Sequence, residues 1–132
     1  MDMLLEVVTV PVTDIDKSKE FYENRLGFKV DFDAQMDNSI RFVQLTPPGS
    51  SCSIHFTTDS SVMKPGALKN VMLVVDDAKA AKATLEAKGA ELSDIEEFDW
   101  GKHVYFTDPD GNSWIIQESY ARNKRKAKAQ KQ

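Results

Sequence analysis

The sequence predicts an α+β fold made of two βαβββ modules, and the clearest sign is a β-hairpin near the C-terminal end. Residues 104–107 and 113–117 are rich in aromatic and β-branched side chains, which favour strands. Between them stands Asp108-Pro-Asp-Gly-Asn112. Proline presets φ, glycine accepts a positive φ and Asx side chains bond nearby backbone groups, so this segment has the composition of a tight turn. A repeated order of elements and matching residues between the two halves complete the prediction.

The first module covers about residues 1–58. Residues 6–12 have the composition of a strand, and Pro11 restricts this strand to a sheet edge or a strand end. Thr13-Asp14 offers an N-cap for a helix over residues 15–25, which Gly27 ends. Three short strands are expected after this helix, separated by polar or turn-forming segments: residues 28–32, 40–45 and 53–57.

The second module covers about residues 68–119 and repeats that order. Val71–Val75 predicts a strand, Asp76-Asp77 caps a helix that runs through Lys88, and Gly89 ends this helix. The remaining strands are predicted at residues 91–95, 104–107 and 113–117. A shift of 63 residues pairs four identical residues across the two halves: Val12 with Val75, Asp14 with Asp77, Lys19 with Lys82 and Glu23 with Glu86. These matches, together with the shared order of elements, predict an internal duplication.

The composition indicates a single soluble domain. A length of 132 residues fits one domain, or two small half-domains that share one core. A content of 41% hydrophobic and 29% charged residues is ordinary for a globular protein. The longest apolar runs are about five residues, far short of the roughly 20 that a membrane span needs. The N-terminus has neither the basic region nor the apolar stretch of a signal peptide, so no membrane association is expected. The single cysteine, Cys52, leaves no intramolecular disulfide, and a cytoplasmic location is therefore expected.

The charge is unevenly distributed along the chain. The net charge of -4 combines a terminal segment, residues 121–132, that has six basic and no acidic side chains with a body that has 11 basic and 21 acidic groups. Such a basic C-terminal tail, residues 120–132, could bind nucleic acid or an acidic surface through counterion release. The other interpretation is a frayed, solvated terminus that lies on its own acidic body. No aromatic residue is interleaved with these charges, which favours the second interpretation and disfavours nucleic acid as a partner.

Three segments give the chain its resemblance to a known family: VTVPVTDIDKSKEFYENRLGF at residues 8–28, VMLVVDDAKAAKATLEAKG at residues 71–89 and FTDPDGNSWIIQE at residues 106–118. In these segments the chain resembles the glyoxalase / bleomycin-resistance / extradiol-dioxygenase superfamily, also called the vicinal oxygen chelate superfamily. The likeness covers roughly residues 4–119. It implies a glyoxalase-like domain over residues 1–119, with curled mixed sheets that form a cleft, helices on the outside, and a homodimer.

Strand alternation indicates which side chains face this cleft, because successive residues of a strand point to opposite sides of the sheet. In the first strand Val8, Val10 and Val12 form the apolar face that packs under a helix, and the intervening residues point the other way. The same reasoning for the other strands, with Trp100 added from a loop near the cleft mouth, gives the candidate ligand-binding residues: Val7, Thr9, His55, Asn70, Met72, Trp100, His103, Tyr105, Ile115 and Gln117. A largely apolar pocket with a few convergent polar groups is what a small-molecule site requires.

The resemblance also implies a test for a metal site, since metal-dependent members of the superfamily have His or Glu at four cleft positions. By the strand patterns these positions correspond to Val7, His55, Asn70 and Ile115. Only His55 is a strong ligand; valine and isoleucine have no donor atom, and an asparagine carbonyl binds a divalent transition metal weakly. A catalytic zinc or iron site needs about three protein ligands and an open position. The expectation is that no metal and no cofactor is bound, which disfavours a glyoxalase I or an extradiol dioxygenase.

Several of the candidate site residues have both a functional and a structural interpretation. His55 or His103 could act as a general acid or base, since a free histidine titrates near a pKa of about 6.5, or could fill a pocket and bond a neighbour. Tyr105 and Gln117 could orient a polar ligand or pack across strands. Trp100 could stack on a planar ligand or cover the end of the sheet.

Three other residues are predicted to be structural. Asp108 and Asp110 invite a paired-carboxylate interpretation, but within Asp-Pro-Asp-Gly they are predicted to form the turn. Trp114 lies on the core side of its strand by alternation.

The function that these observations favour is metal-independent binding of a small molecule, as in the bleomycin-resistance branch of the superfamily, with sequestration of an antibiotic or a small metabolite as its use. Trp100, Tyr105 and Met72 indicate an aromatic or amphiphilic ligand. The first alternative is a lyase or isomerase of the same superfamily in which His55 or His103 is the acid or base. The second is a protein-interaction or regulatory module that acts through the basic tail.

Overall fold

The computed structural model describes residues 1–130, and these form two compact units. The first unit consists of residues 1–69 together with residues 107–112, and the second consists of residues 70–106 together with the chain from Ser113 onward. Each unit contains one four-stranded sheet, and the order strand, helix, three strands occurs twice along the chain. The predicted α+β class with two βαβββ modules is confirmed.

The first unit contains four strands and a helix: β1 (Val7–Pro11), α1 (Ile15–Glu20), β2 (Lys29–Gln35), β3 (Arg41–Thr46) and β4 (Ser53–Thr57). Its sheet has the order β1-β4-β3-β2, in which β1 runs parallel to β4 and the other neighbours are antiparallel. A β-bulge between Val30 and Phe32 shifts the register of β2 on β3. Helix α1 continues into one wider π-helical turn at Phe21–Arg25, so the helix predicted over residues 15–25 is present in two forms.

Helix α1 begins and ends at the residues that the sequence indicates. The Asp14 side chain accepts a hydrogen bond from the Lys17 N–H at 3.1 Å, which satisfies one of the free donors of the first turn. Gly27 follows the helical segment with φ of 75°, a conformation that glycine adopts without steric cost. The core of this unit draws on one side of the sheet and on the helical segment, and its buried members include Val10, Val12, Tyr22, Val43, Leu45, Ile54 and Phe56.

The Asp108 turn belongs to the first unit and is held by a buried network. The Asp108 Oδ1 atom accepts hydrogen bonds from the Asp110 and Asn112 N–H groups at 3.0 and 2.9 Å. Its Oδ2 atom accepts bonds from the Tyr22 hydroxyl at 2.7 Å and the Asn112 amide at 2.8 Å. The same Asn112 amide donates to the Pro11 carbonyl at 2.8 Å. Asp108 is therefore a buried turn former, as predicted, and it also anchors Tyr22.

The second unit contains four strands and two helices: β5 (Val71–Val75), α2 (Ala78–Ala87), β6 (Glu96–Phe98), β7 (Gly101–Thr107), β8 (Ser113–Ser119) and α3 (Tyr120–Gln130). Its sheet has the order β5-β8-β7-β6, with β5 parallel to β8. Asp77 caps α2 by accepting the Ala80 N–H at 3.1 Å. Trp114 is buried and stacks on Phe106 with ring centroids 6.0 Å apart, which confirms its predicted core position.

The strand predicted at residues 91–95 is wrong, since the sixth strand is β6 at Glu96–Phe98. Residues 91–95 bond to β7 through Ser93. The Ser93 N–H donates to the Tyr105 carbonyl at 2.9 Å, and the Ser93 hydroxyl accepts a hydrogen bond from the Tyr105 N–H at 2.8 Å. The Ser93 carbonyl instead accepts the Lys82 ammonium at 3.0 Å. A side chain from α2 therefore takes the acceptor that a strand ladder would use.

The prediction that the basic tail is frayed is wrong, because residues 120–130 form helix α3, whereas the prediction that the tail lies on the acidic body agrees with its contacts to Asp76. Arg122 and Lys126 reach the Asp76 carboxylate at 3.3 and 2.7 Å, and these ion pairs hold the helix on the second unit. Lys131, the last basic residue of the predicted tail, lies outside the described residues. Among the helices of residues 1–130, none combines the length and the apolar character that crossing a bilayer requires.

Candidate ligand-binding faces

The first unit exposes one side of its sheet, here called the first face, which carries Val7, Thr9, Phe32, Phe42, Gln44 and His55. The register places these side chains together, since Thr9 and Gln44 both pair with His55 and Phe32 pairs with Gln44. The buried residues Val10 and Leu45 point to the opposite side. Val7, Thr9 and His55 were predicted to share a cleft-facing side, and they lie on one side of this sheet.

His55 is the centre of the first face. Its Nε2 atom lies 2.7 Å from the Thr9 hydroxyl, and its ring centroid lies 5.6 Å from that of Phe42. The Phe32 ring follows at 6.5 Å from Phe42, so three rings form a row across the sheet. Within residues 1–130 no protein group bonds Nδ1, which leaves this atom able to donate to or accept from a ligand.

A chain of hydroxyl groups ends at a carboxylate on the first face. The Ser53 hydroxyl lies 2.6 Å from the Thr46 hydroxyl, which donates to the Asp31 carboxylate. Because Thr46 has one hydroxyl proton and gives it to Asp31, the Ser53 hydroxyl is the donor in the first bond. Strand alternation did not identify Asp31, Phe32, Phe42 or Gln44 as residues of this face. The bulge after Val30 breaks the alternation of β2, so simple parity would place Phe32 on the core side.

The second unit exposes the side of its sheet that carries Met72, Val74, His103, Tyr105, Ile115 and Gln117, here called the second face. The parallel register pairs Met72 with Ile115 and Val74 with Gln117. Met72 and Val74 are 48% and 44% exposed, whereas Ile115 is buried. The face therefore has an apolar floor along β5 and β8 that remains open to solvent in the single chain.

His103 is fixed at both ring nitrogens. Its Nε2 atom lies 2.9 Å from the Gln117 side-chain oxygen, and its Nδ1 atom lies 3.2 Å from the Tyr105 hydroxyl. If the Gln117 oxygen accepts, the neutral imidazole has its proton on Nε2, and Nδ1 is an acceptor. Both Nδ1 and the Glu96 carboxylate can accept the one proton of the Tyr105 hydroxyl; burial first, and then the hydrogen bond to Glu96, raises the Tyr105 pKa. His103 is thus a positioned hydrogen-bonding group rather than a free base.

Trp100 lies in the two-residue turn of the β6–β7 hairpin, where Phe98 pairs with Gly101. Its ring stacks on Phe98 with centroids 4.9 Å apart and planes 4° apart, and it meets the His103 ring edge-on at 5.0 Å. Trp100 nevertheless remains 47% exposed. The aromatic cluster of Phe98, Trp100, His103 and Tyr105 therefore borders the second face and keeps aromatic surface accessible to a planar molecule.

The four positions that correspond to metal ligands are distributed over both units. Val7 and His55 lie on the first face. In the second unit Ile115 lies on the second face, and Asn70 precedes β5 with φ of 59° and donates its N–H to the Ser113 hydroxyl at 2.8 Å. Valine and isoleucine offer no lone pair, so this donor set does not fit the ligands of a zinc or iron site. Within the described part of the chain no three His, Cys, Asp or Glu side chains form a group that could hold a metal ion.

The sequence and the fold are similar to those of known proteins. A family model described as the Glyoxalase/Bleomycin resistance protein/Dioxygenase superfamily matches residues 4–116. The crystal structure of TnmS3, described as an antibiotic binding protein from Streptomyces sp. CB03234, has a TM-score of 0.80 and 30% sequence identity, and the match covers 89% of this chain and 97% of TnmS3.

Two further matches also extend over most of the chain. A crystal structure described as a member of the glyoxalase/bleomycin resistance protein/dioxygenase superfamily from Sphaerobacter thermophilus DSM 20745 has a TM-score of 0.76 and 32% identity, over 89% of this chain and 98% of its own. The protein YetH of Bacillus subtilis (strain 168) is 24% identical over 113 residues, which are 84% of this chain and 94% of YetH.

Proposed function

This chain belongs to the glyoxalase/bleomycin resistance protein/dioxygenase superfamily, as the sequence motifs predicted, and from this membership we propose that it binds a small organic molecule without a metal ion. Its role in this proposal is sequestration of an antibiotic or a small metabolite. The ligand is aromatic or amphiphilic. The protein acts as a homodimer in the cytoplasm, as the resemblance and the single cysteine led us to expect.

The observation that supports this proposal most strongly is the combination of groups on the second face. Met72 and Val74 offer half-exposed apolar surface, and the His103 and Gln117 pair beside them supplies polar groups whose orientation is already fixed. Small-molecule sites typically combine an apolar lining with a few precisely oriented polar groups. A network that is formed before binding also reduces the ordering cost of binding.

A second line of support is that one similar protein is described as binding an antibiotic. TnmS3 is described as an antibiotic binding protein, and it is 30% identical to this chain over nearly its whole length. Trp100, whose aromatic surface is about half exposed, is suited to stack on a planar ring system of the kind that many antibiotics contain. We therefore expect planar aromatic antibiotics to be the most productive ligand class to test first.

The alternative function is a metal-independent lyase or isomerase in which His55 is the general acid or base. The observation that favours it is the asymmetry of the His55 ring: Thr9 occupies Nε2, while Nδ1 has no protein partner within residues 1–130. A general base must offer a lone pair to the proton that it removes, and Nδ1 offers one when Nε2 donates to Thr9. His103, with both nitrogens engaged, is the weaker candidate for this role.

A thermal-shift screen of planar aromatic antibiotics and aromatic metabolites tests the proposal. The screen is run with metal-free protein and again with zinc, nickel or iron(II). We expect at least one compound to raise Tm saturably in metal-free protein, and mass spectrometry to recover that compound unchanged. Chemical turnover that His55→Ala abolishes, in a variant that retains its Tm, would instead establish the enzyme. No stabilising compound in either set would contradict a ligand-binding role.

A further inference from the structure

Helix α3 lies beyond the residues that the family model matches. The family model ends at residue 116, and α3 begins at Tyr120. TnmS3 and the Sphaerobacter protein align over 97% and 98% of their own chains, yet they cover only 89% of this one. The basic terminal segment therefore has a structure and a set of contacts that the shared fold does not require.

The composition of α3 opposes helix formation in isolation. Its 11 residues include five cations and no acidic residue. Arg122 and Lys126 are four positions apart, and like charges at this spacing destabilise a helix that is already too short to be stable alone. The helix therefore depends on contacts with the rest of the second unit.

Asp76 supplies three of those contacts. Its carboxylate receives Arg122 at 3.3 Å and Lys126 at 2.7 Å, and its backbone carbonyl accepts the Asn123 side-chain amide at 2.9 Å. The negative charge thus stands between the two cations that would otherwise repel each other. The pKa of Asp76 is lowered, first by the hydrogen bond from Lys126, as expected for a carboxylate that stays ionised in this position.

The first residue of α3 contacts the turn that carries Trp100. The Tyr120 N–H, one of the donors that a helix leaves free at its start, donates to the Trp100 carbonyl at 3.0 Å. The Tyr120 hydroxyl lies 3.4 Å from the Glu97 carboxylate on the same hairpin. Strand β6 has only three residues and lies at the edge of its sheet, so the hairpin depends on these bonds in addition to its pairing with β7 and the contacts of Trp100 with Phe98 and His103.

We propose that α3, pinned by Asp76, is a strut that fixes the Asp99–Trp100 turn beside the second face, which makes Asp76 a positioning residue for ligand capture. The role of Asp76 in ligand capture rests on the proposed function. The coupling of Asp76 to the mobility of Trp100 through α3 does not, because it exists without a ligand. The pinning bonds are solvent-exposed ion pairs, so the coupling weakens at high salt.

Acrylamide quenching of Trp100 fluorescence in the full chain measures this coupling without a ligand. Acrylamide is uncharged, so charge-changing variants do not alter its local concentration through electrostatics. The only other tryptophan, Trp114, is buried, and subtraction of the Trp100→Phe signal isolates Trp100. We expect Asp76→Asn to raise the quenching constant of Trp100 about twofold because the turn opens more often. Asp76→Glu should restore a value close to that of the wild type.

Matched double variants separate the strut from a general charge effect. Arg122→Gln with Lys126→Gln removes the two cations that contact Asp76, whereas Lys124→Gln with Arg125→Gln removes two exposed cations of the same helix that form no ion pair within residues 1–130. We expect the quenching constant of Trp100 to rise in the Arg122→Gln, Lys126→Gln double variant and to stay unchanged in the Lys124→Gln, Arg125→Gln double variant. We also expect 1 M salt to raise the quenching constant of the wild type, but to cause no further rise in Asp76→Asn. Equal quenching in both pairs, or no change in Asp76→Asn, would overturn the strut.

Ligand binding is measured separately, so that the two proposals fail independently. If Asp76 variants loosen Trp100 but no planar aromatic antibiotic binds, the strut stands and the proposed function fails. If a compound binds while quenching is unaffected in every variant, the proposed function stands and the strut fails. If the Asp76 variants loosen Trp100 and a compound also binds, Asp76→Asn should weaken binding of that compound about two- to fivefold.

Discussion

The two units each place a histidine on the exposed side of a four-stranded sheet, yet the two rings are held in different ways. His55 contacts Thr9 through one nitrogen, whereas His103 is engaged at both nitrogens by Gln117 and Tyr105. The surroundings differ as well: the first face contains a carboxylate and a hydroxyl chain, and the second has an open apolar floor beside Trp100. A shared module order therefore does not fix the use of a face, which depends on the side chains along each strand.

Both units contain a glycine at a close backbone approach, Gly66 in the first and Gly101 in the second, and the approach in the second unit is the closer one. A Cβ atom at Gly101 would lie 2.0 Å from the Glu118 carbonyl oxygen. We expect Gly101→Ala to lower the free energy of unfolding by about 3 kcal/mol, since two strands must move apart. Gly49→Ala, where nothing lies within 4 Å of the new Cβ and only the positive φ of 76° is unfavourable, should lower it by about 1 kcal/mol. Urea denaturation measures both, and equal losses would contradict the role of the close approach.

The first unit depends instead on the buried network around Asp108. We expect Asp108→Ala to lower the free energy of unfolding by about 2 kcal/mol, because the Tyr22 hydroxyl and the Asn112 amide lose a buried acceptor. Asp110→Ala removes a carboxylate that accepts from the exposed Thr13 hydroxyl at 2.7 Å, and should cost less than about 1 kcal/mol. Guanidinium denaturation of both variants tests the difference. A larger loss in Asp110→Ala would show that the network is not the main restraint.

Ligand affinity distinguishes the two faces directly. Trp100 and Phe32 are both large aromatic residues with much exposed surface, at 47% and 58%, and they border different faces. We expect Trp100→Ala to weaken binding of a compound found in the thermal-shift screen about tenfold, the loss of one stacking contact. Phe32→Ala should change it less than about twofold. The reverse order in isothermal titration calorimetry would assign the ligand to the first face.

The smallest expected effect is a pH dependence in the first unit. Arg41 and then Lys19 donate hydrogen bonds to Asp33, and these bonds hold the pKa of that carboxyl well below its usual range. A lowered folded-state pKa contributes stability that is present above the unfolded value of about 4 and is lost as the pH falls. We expect Asp33→Asn to lower the free energy of unfolding by about 1 kcal/mol at pH 7, and by progressively less below pH 4. A constant difference between pH 7 and pH 2.5 would contradict this assignment.

Much of the fold could be predicted from the sequence because local signals and tertiary structure agree. Ser53–Thr57 and Val71–Val75 are strands over the predicted residues, and both helices begin after the predicted caps, Asp14 and Asp77. The failures have long-range causes. The 91–95 strand is absent because Lys82 takes the Ser93 carbonyl, and the basic tail is helical because Asp76 pairs with cations about 50 residues away in sequence.

The candidate site was predictable only in part. Parity placed His103, Tyr105 and Gln117 on one side of the sheet, and they are hydrogen-bonded to one another there. Strand alternation could not reveal that both nitrogens of His103 are hydrogen-bonded, since these bonds depend on side-chain rotamers. It also could not place Phe32, because the bulge in β2 reverses the facing of every residue after it.

Calorimetric titration of metal-free protein with the best compound from the thermal-shift screen tests the central claim most directly. After dialysis against a chelator, we expect saturable binding of one molecule per site, unchanged affinity when zinc, nickel or iron(II) is added, and recovery of the compound without chemical change. Retention of one metal ion per subunit through dialysis, or binding that appears only when a metal is restored, would contradict a metal-independent binding protein.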